Sequence, residues 1–507
     1  MRSLEKTSPL KSSFWSNESN FSLVVSSIFL LLGFIGILHH EMWRDELQAW
    51  MTARDSVSLA GLAAAVKYQG HPLLWYLGLY AITRFTHNPL AMQLLHILIA
   101  TATVWVFVRF SPFTKLQKLL FAFGFFPFYE YAIISRGYAL GILFFFIFCA
   151  FYKERLKKPL LLSCFLFLLC QTSVLGLIIA ISLEAMLVFD LVSARRQQLS
   201  KTTLALMLAV FFSGVIVSIW QIIPPQDSGY ATGWHLLFNH FRLERISGLL
   251  SLTYFCSPHY WLFELSSGAQ QKVGLFFSAC LSGLLFIYAS IVFLRKPKIL
   301  CLYACGTLAL LAFFYFKYEG YAWHHGHLYI LLIACFWLSA GYPDSAPGSA
   351  FFDKLSAMGK KYLVLFVGAL LTVHFYQGAR AYARDYVYPF SAAKETAQFI
   401  KEHGLKEVLI AGDPDYAVSP IAGYLDKKIY YLREGKFATY VQWDNKRLKA
   451  YDLNKLWEEP ALRKKKFLLV VNQELKAPPY PAEKIGEFTE EMARGEQYWL
   501  YAVNFEN

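Results

Sequence analysis

Residues 21–38 read FSLVVSSIFLLLGFIGIL, and residues 39–46 continue as HHEMWRDE. The first string carries no charge and is long enough, at about 1.5 Å per residue, to cross most of a hydrocarbon core of about 30 Å. The second packs two histidines, an arginine and three acids against its end. An Asp at the centre of a spanning helix costs about 2.5–3.5 kcal/mol. A dense acid–base cluster where a helix leaves the membrane therefore calls for a reason. It is either a solvated helix end or part of a site.

The rest of the chain supports the membrane reading. It has 507 residues, 56% hydrophobic and 16% charged, against roughly 25% charged in soluble domains. The deficit lies in apolar runs between residues 21 and 378, and the remainder has soluble character. The first run lacks a small-residue cleavage site, so a retained helix is expected rather than a signal peptide. The net charge of +13 is explained largely by Lys and Arg gathering in cytoplasmic loops, and no nucleic-acid partner is expected. Of eight cysteines, seven lie in apolar runs, and Cys256 falls in a long polar loop. No disulfide framework is expected. Cys301 and Cys305 are one turn apart, with no adjacent His or Cys to complete a metal site.

Apolar segments at 21–38, 90–108, 118–134, 138–152, 159–171, 174–192, 203–222, 272–294, 298–316, 327–341 and 361–378 predict a polytopic α-helical membrane protein with about eleven transmembrane helices. The run 159–192 is too long for one crossing and divides at Gln171-Thr172-Ser173. The segment 71–85 is short, opens with His71-Pro72 and ends near Arg84. If it lies on the outer surface instead of spanning, the basic clusters around Arg109, Lys153, Arg195/Arg196, Arg295 and Lys360 share one side with Arg2, Lys6 and Lys11. The positive-inside rule makes that side cytoplasmic. Arg380 and Arg384 then fall outside, against the rule. The expected organisation is a cytoplasmic tail 1–20 and a transmembrane domain 21–380 with outer loops 39–89, 129–137, 223–271 and 317–327. A soluble extracytoplasmic domain 385–507 follows.

That last domain alternates helical and strand patterns. Helices are expected at Ser391–His403, with Ser391 as N-cap, and at Tyr416–Leu425. Strands are expected at Glu407–Ala411, Lys428–Leu432, Lys466–Val471 and Trp499–Asn504. The pattern predicts a small α/β layer structure. No phosphate-binding glycine fingerprint appears, and Gly412-Asp413-Pro414-Asp415 reads as a turn.

Four polar clusters fall on the outer face. In the first, Asp45 and Glu46 diverge by about 100° on a helix, so one can face a site while the other does not. A carboxylate there suits a general base. The second, Gly70-His71-Pro72-Leu73-Leu74-Trp75-Tyr76, has a helix-start proline, which puts His71 near an N-terminus of the kind that favours phosphate. The third joins Glu130 to Arg136 and Tyr138, and arginine presents a fixed fork of donors to phosphate oxygens. The fourth is Lys317 with Glu319, Trp323, His324, His325 and His327, a metal site or a cationic cradle. Each has a plain structural alternative: a helix end, an interfacial anchor, an internal Glu130–Arg136 pair, or ordinary interfacial aromatics. Their convergence beside the lipid surface suits a phosphate-bearing lipid substrate. Cations would stabilise a departing phosphate, and a carboxylate would activate an acceptor. Glu184, an acid within an apolar helix, lies about two turns from the inner end and is left outside this site.

These motifs, in this order and on this side, resemble the membrane-integral GT-C glycosyltransferases that use polyprenyl-phosphate sugars. That group includes protein O-mannosyltransferases and lipid A aminoarabinose transferases. The resemblance rests on Asp45-Glu46 after the first helix, His71-Pro72-Leu73-Leu74, Ser135-Arg136-Gly137-Tyr138 and the loop Trp323–His327, over about residues 20–340. Leu73 departs from the second proline of the family's pattern. The resemblance implies an inverting transfer at the outer face of a membrane, such as the bacterial inner membrane, with the N-terminus cytoplasmic. Asp45 would be the base, with Glu46 a second catalytic candidate. Arg44, His71, Glu130, Arg136, Tyr138, Lys317, His324, His325 and His327 would contact the donor phosphate or substrate. Some members of the family use a divalent cation such as Mg or Mn, for which Asp45 and Glu130 would be candidate ligands. The acceptor is a lipid, glycan or protein. Rival readings are a transporter or flippase for a lipid-linked sugar, a glycan ligase using a polyprenyl-pyrophosphate donor, and a non-catalytic binding subunit. No internal repeat of the transporter kind is visible.

Overall fold

The computed structural model describes residues 17–193, 200–229, 268–318, 320–346, 348–476, 481–493 and 495–504, with helix side chains described from residue 279 onward in the third stretch. Arg2, Lys6, Lys11, Arg195, Arg196, Cys256, Glu319 and most of the expected outer loop 223–271 lie outside the described residues. The chain is mostly helical, with a small C-terminal sheet. Among the described residues six helices are long and apolar enough to cross a membrane: Glu18–His39, Leu90–Phe110, Val174–Ser193, Lys201–Ile222, Pro297–Phe316 and Leu363–Val387.

The N-terminal elements position the site. Helix α1 (Glu18–His39) starts on the Asn17 side chain, which accepts the Ser19 amide at 2.9 Å. After a four-residue link come α2 (Arg44–Asp55), α3 (Leu59–Lys67), α4 (Leu74–Thr83) and α5 (Leu90–Phe110). The ten residues of α4 rise about 15 Å, half of a hydrocarbon core. Helix α4 packs on α2.

The expected helix 118–134 is two elements. Helix α6 (Lys115–Ala122) ends before Gly124, and Phe125–Ile133 then forms a π-helix. The wide winding closes with the Ile134 amide on the Tyr129 carbonyl, five residues back, at 3.3 Å. Pro127 lies in its first turn, where the missing N–H is no loss. The break also makes room for a neighbour. A Cβ on Gly378 of helix Leu363–Val387 would lie 2.7 Å from the Phe123 carbonyl oxygen. Helix α7 (Tyr138–Phe151) follows. The division at Gln171-Thr172-Ser173 falls between helices Pro159–Cys170 and Val174–Ser193.

The opposite end of the bundle has its own polar lock. Buried Asp190 accepts Tyr152 Oη at 2.9 Å and Lys298 Nζ at 2.6 Å, and also binds Tyr342 and Arg155. Four side chains from three other segments are tied to one carboxylate, and every partner is a donor.

The C-terminal sheet holds β1 (Leu409–Asp413), β2 (Ile429–Tyr431), β3 (Lys436–Ala438), β4 (Phe467–Val471), β5 (Ala482–Phe488) and β6 (Tyr498–Val503), in the order β3-β2-β1-β4-β6-β5. The central strand β1 pairs in parallel with β2 and β4, and the outer pairs are antiparallel. Helices Ala393–Glu402 and Asp415–Leu425 cover one face. The Ser391 hydroxyl accepts the Ala393 amide at 3.1 Å, a capping contact one residue earlier than a formal N-cap. Strands β3 and β5 were not expected. Strand β5 is an edge strand, and its charged, half-exposed sequence AEKIGEF has the composition that protects sheet edges.

The sheet domain does not stand apart. Leu47, Trp50 and Met51 of α2 and Leu79 of α4 share one apolar core with Val418, Ile421, Leu425, Leu468 and Tyr498. The Gln48 amide pairs with both backbone groups of Val441, at 2.7 and 3.0 Å. The expected outer loop 39–89 is thus the floor on which the C-terminal domain sits.

Candidate functional site

Asp45 and Glu46 are neighbours at the start of α2, and the helix turns them to opposite surroundings. Glu46 is fully buried. Its Oε2 meets His40 Nε2 at 2.9 Å, and its Oε1 accepts the Ser135 amide at 2.6 Å. The other nitrogen of His40, Nδ1, meets Asp385 Oδ2 at 2.7 Å. His40 is thus clamped between two carboxylates from two other segments. Burial works to lower its pKa, but Asp385 and Glu46 outweigh that and raise it to about 10. Glu46, expected as a second catalytic carboxylate, is instead a buried anchor. It holds the turn that presents Arg136.

Asp45 faces outward. Its Oδ2 lies 3.0 Å from Arg136 Nη1 at the edge of a small cleft of about 40 Å³. His71, Trp75, Ser135, Tyr138 and Thr172 line the same cleft. Among its described lining residues Asp45 is the only carboxylate and Arg136 the only permanent cation. Arg136 also lies over the rings of Trp323 and Tyr138, 4.9 and 5.2 Å from their centroids. Burial opposes its charge, yet the neighbouring Asp45 carboxylate raises its pKa further, so it stays a guanidinium. Its backbone carbonyl meets His96 Nε2 at 3.0 Å, which fixes the turn from the second side.

Among the described residues three buried polar atoms of this lining lack a hydrogen-bond partner: Trp75 Nε1, Ser135 Oγ and Arg136 Nη1, the last making only its ion contact with Asp45. Buried polar groups in native structures are nearly always paired, so unpaired donors gathered in one cleft mark a place for an acceptor. Tyr138 adds a fourth. His324 Nδ1 accepts the Tyr321 amide at 3.0 Å, so its proton is on Nε2, which lies 2.9 Å from Tyr138 Oη. The imidazole donates, and the phenol proton is left to point elsewhere.

The other expected contacts divide. His324, His325 and His327 are not in a loop. They occupy the first turns of helix Ala322–Ser339 and are buried. His324 is neutral by the tautomer just described, so the expected cationic cradle is not formed by it. His327 Nδ1 donates to the His324 carbonyl at 3.0 Å, and its ring stands 5.4 Å from that of Tyr138. His325 turns away and packs edge-on to Phe314 at 4.6 Å. His71 lines the cleft, but burial and the Arg136 charge lower its pKa to about 4 against the pull of Asp45, so it is neutral at pH 7. Arg44 turns to the C-terminal domain, where its amide donates to Glu496 at 3.1 Å and its guanidinium lies over the Trp43 and Tyr416 rings. Lys317 ends helix Pro297–Phe316 and does not line the cleft. Glu130 is buried in the π-helix, also outside the lining, with Oε1 unpartnered.

A divalent cation fits this donor set poorly. Magnesium and manganese favour several oxygen ligands, whereas the cleft offers one carboxylate, already facing a guanidinium. Among the described residues no group of three or more His, Cys, Asp or Glu side chains is arranged to hold a metal.

The site also depends on close packing. A Cβ on Gly326 would lie 2.3 Å from Tyr131 Oη and 2.4 Å from a Phe126 ring carbon. Tyr131 Oη donates to the Trp323 carbonyl at 2.7 Å, so displacing it moves the ring beneath Arg136. Gly326→Ala is expected to lower stability by about 1–3 kcal/mol, read as a lower melting temperature in detergent. An unchanged melt would contradict this packing. Thr172 and Asp385 are not marked as site residues by the sequence, and Trp75 reads there as part of an interfacial helix with an aromatic anchor. Trp75 and Thr172 carry no charge pattern, and Asp385 meets His40 only through the fold. No protein-family profile, curated protein or solved structure matches the chain.

Proposed function

We propose that the protein is an inverting membrane glycosyltransferase of GT-C type that moves a sugar from a polyprenyl-phosphate donor to an extracytoplasmic acceptor. The observation that carries this reading is the cleft in which one carboxylate faces one guanidinium among unpaired buried donors. In this reading about eleven apolar helices span the membrane, with the shorter ones assisted by neighbours. The N-terminus is cytoplasmic, and the cleft and C-terminal domain lie outside, as at a bacterial inner membrane.

The chemistry needs few parts. The donor phosphate enters beside Arg136, whose fork binds its oxygens, with Tyr138, Ser135 and Trp75 as further donors. Binding draws the guanidinium away from Asp45 and frees the carboxylate lone pairs. Asp45 then takes the proton of the acceptor hydroxyl or amine as that atom attacks the anomeric carbon. The bond from that carbon to the phosphate oxygen breaks, and its electron pair leaves with the phosphate, where Arg136 stabilises it. One displacement inverts the anomeric centre.

The direct test uses purified protein in vesicles with polyprenyl-phosphate sugars and a panel of lipid, glycan and peptide acceptors. Transfer with release of polyprenyl phosphate is the expected result. Movement of intact lipid-linked sugar across the bilayer without transfer would replace this reading with a transporter.

A further inference from the structure

A second cleft, larger than the first, lies between the outer ends of α1 and α5 and the C-terminal domain, with a volume of about 500 Å³. Its two walls differ in character. Ile37 and Leu38 from the last turn of α1 and Leu90 from the first turn of α5 form an apolar wall. Leu38 is 47% exposed, so this wall continues onto the outer surface of the bundle. The facing wall carries Lys394 and Lys401 from helix Ala393–Glu402. Seven residues apart, they share one helix face and stand about 10 Å apart along the axis.

The charge balance of this cleft is positive. Its acid, Asp426, is already paired with Arg54 at 2.7 Å and with His87 at 3.2 Å. Lys401 donates to the Tyr424 carbonyl at 2.8 Å, and this holds the ammonium in place without neutralising it. Glu41 stands near Lys394, and burial pushes its carboxyl up to about 7. A further observation points to a ligand with acceptor atoms. Gln93 lines the cleft, is 2% exposed, and its Nε2 donor has no partner among the described residues. Beside the cleft, Phe85 is 91% exposed between α4 and α5, a placement that suits an aromatic anchor at a membrane surface.

We propose that this cleft seats the phosphate-bearing headgroup of an anionic membrane lipid. The phosphate lies between Lys394, Lys401 and the Gln93 amide, and the acyl chains run down the apolar wall of α1 and α5. The proposal rests on the membrane placement of these helices and not on the glycosyltransferase reading, so either can fail alone. Juxtamembrane lysines draw anionic lipid electrostatically. The apolar wall adds a term that free phosphate lacks.

The test uses the full chain in detergent, exchanged into phosphatidylglycerol or phosphatidylcholine nanodiscs, with bound lipid measured by mass spectrometry after re-extraction. The expected result is selective retention of phosphatidylglycerol and a higher melting temperature with it than with phosphatidylcholine. The double variant Lys394→Gln/Lys401→Gln keeps the side-chain stems and is expected to weaken phosphatidylglycerol binding roughly ten- to thirtyfold. Gln93→Leu breaks no hydrogen bond of the protein, so it tests the same site without a folding penalty, and it too should weaken retention. Equal retention of the two lipids, or retention unchanged in both variants, overturns the proposal. So does displacement by millimolar inorganic phosphate as effective as by lipid, because that outcome assigns the cleft to a free anion.

Discussion

Asp45→Asn is expected to lower the turnover number for sugar transfer by about 10²–10⁴-fold, the usual contribution of a general base, while donor affinity holds or tightens. The asymmetry follows from the ion pair. Asp45 lies 3.0 Å from Arg136, and a donor phosphate must compete with it for the guanidinium. An amide in its place cannot accept the acceptor's proton, but it competes less for Arg136. Loss of a merely structural ion pair would instead weaken donor binding and leave turnover much less affected. Single-turnover transfer and equilibrium binding of the polyprenyl-phosphate sugar separate the two. Near-normal turnover in Asp45→Asn would remove this residue from the chemistry.

His40→Gln should lower stability by about 3–5 kcal/mol near neutral pH, because it leaves Glu46 and Asp385 buried without their shared cation. The effect has a definite pH dependence. The folded pKa of His40 is about 10, above the ordinary value near 6.5. Its protonated form therefore stabilises the fold fully below about pH 6.5, and the contribution is lost as pH rises through about 10. Melting curves of wild type in detergent should fall across that window, and those of His40→Gln should be flatter there. The variant should also lose transfer activity, because Glu46 would no longer be held where it accepts the Ser135 amide beside Arg136. A variant that melts with wild type at pH 7 would show that the clamp does not bear on stability.

Much of the fold was legible because hydrophobic runs and turn residues are local signals. The break at Gln171-Thr172-Ser173, the helix at 90–108 and the core strands of the C-terminal domain were read from short windows, and their helices and strands lie within a few residues of those bounds. The errors have physical causes too. The 118–134 run has no charge to mark its interruption, and the break depends on Gly124 and on a neighbouring helix that approaches through Gly378. His324, His325 and His327 read as a polar loop because histidine is polar by composition, yet aromatic neighbours on three segments make their positions part of a buried helix. Strand β5 was hidden by the charges that suit a sheet edge.

The candidate site shows the same division. The sequence alone drew attention to Asp45, His71, Arg136 and Tyr138, since a carboxylate, a helix-start histidine and an Arg–Tyr turn are visible as short motifs. It also separated Asp45 from Glu46 by the 100° turn of a helix. Which of the two lines the open cleft was decided only in three dimensions, by His40, Ser135 and Asp385 closing around Glu46. The bond partners of Glu46, His40 and Ser135, are 6 and 89 residues away, and Asp385 lies 345 residues from the His40 it shares. Local sequence specifies helices, apolar faces and the chemistry of each side chain, because those depend on neighbours a turn or two away. Which buried carboxylate is neutralised, and which is left open beside a guanidinium, depends on segments that meet only when the bundle and the C-terminal domain close around α2.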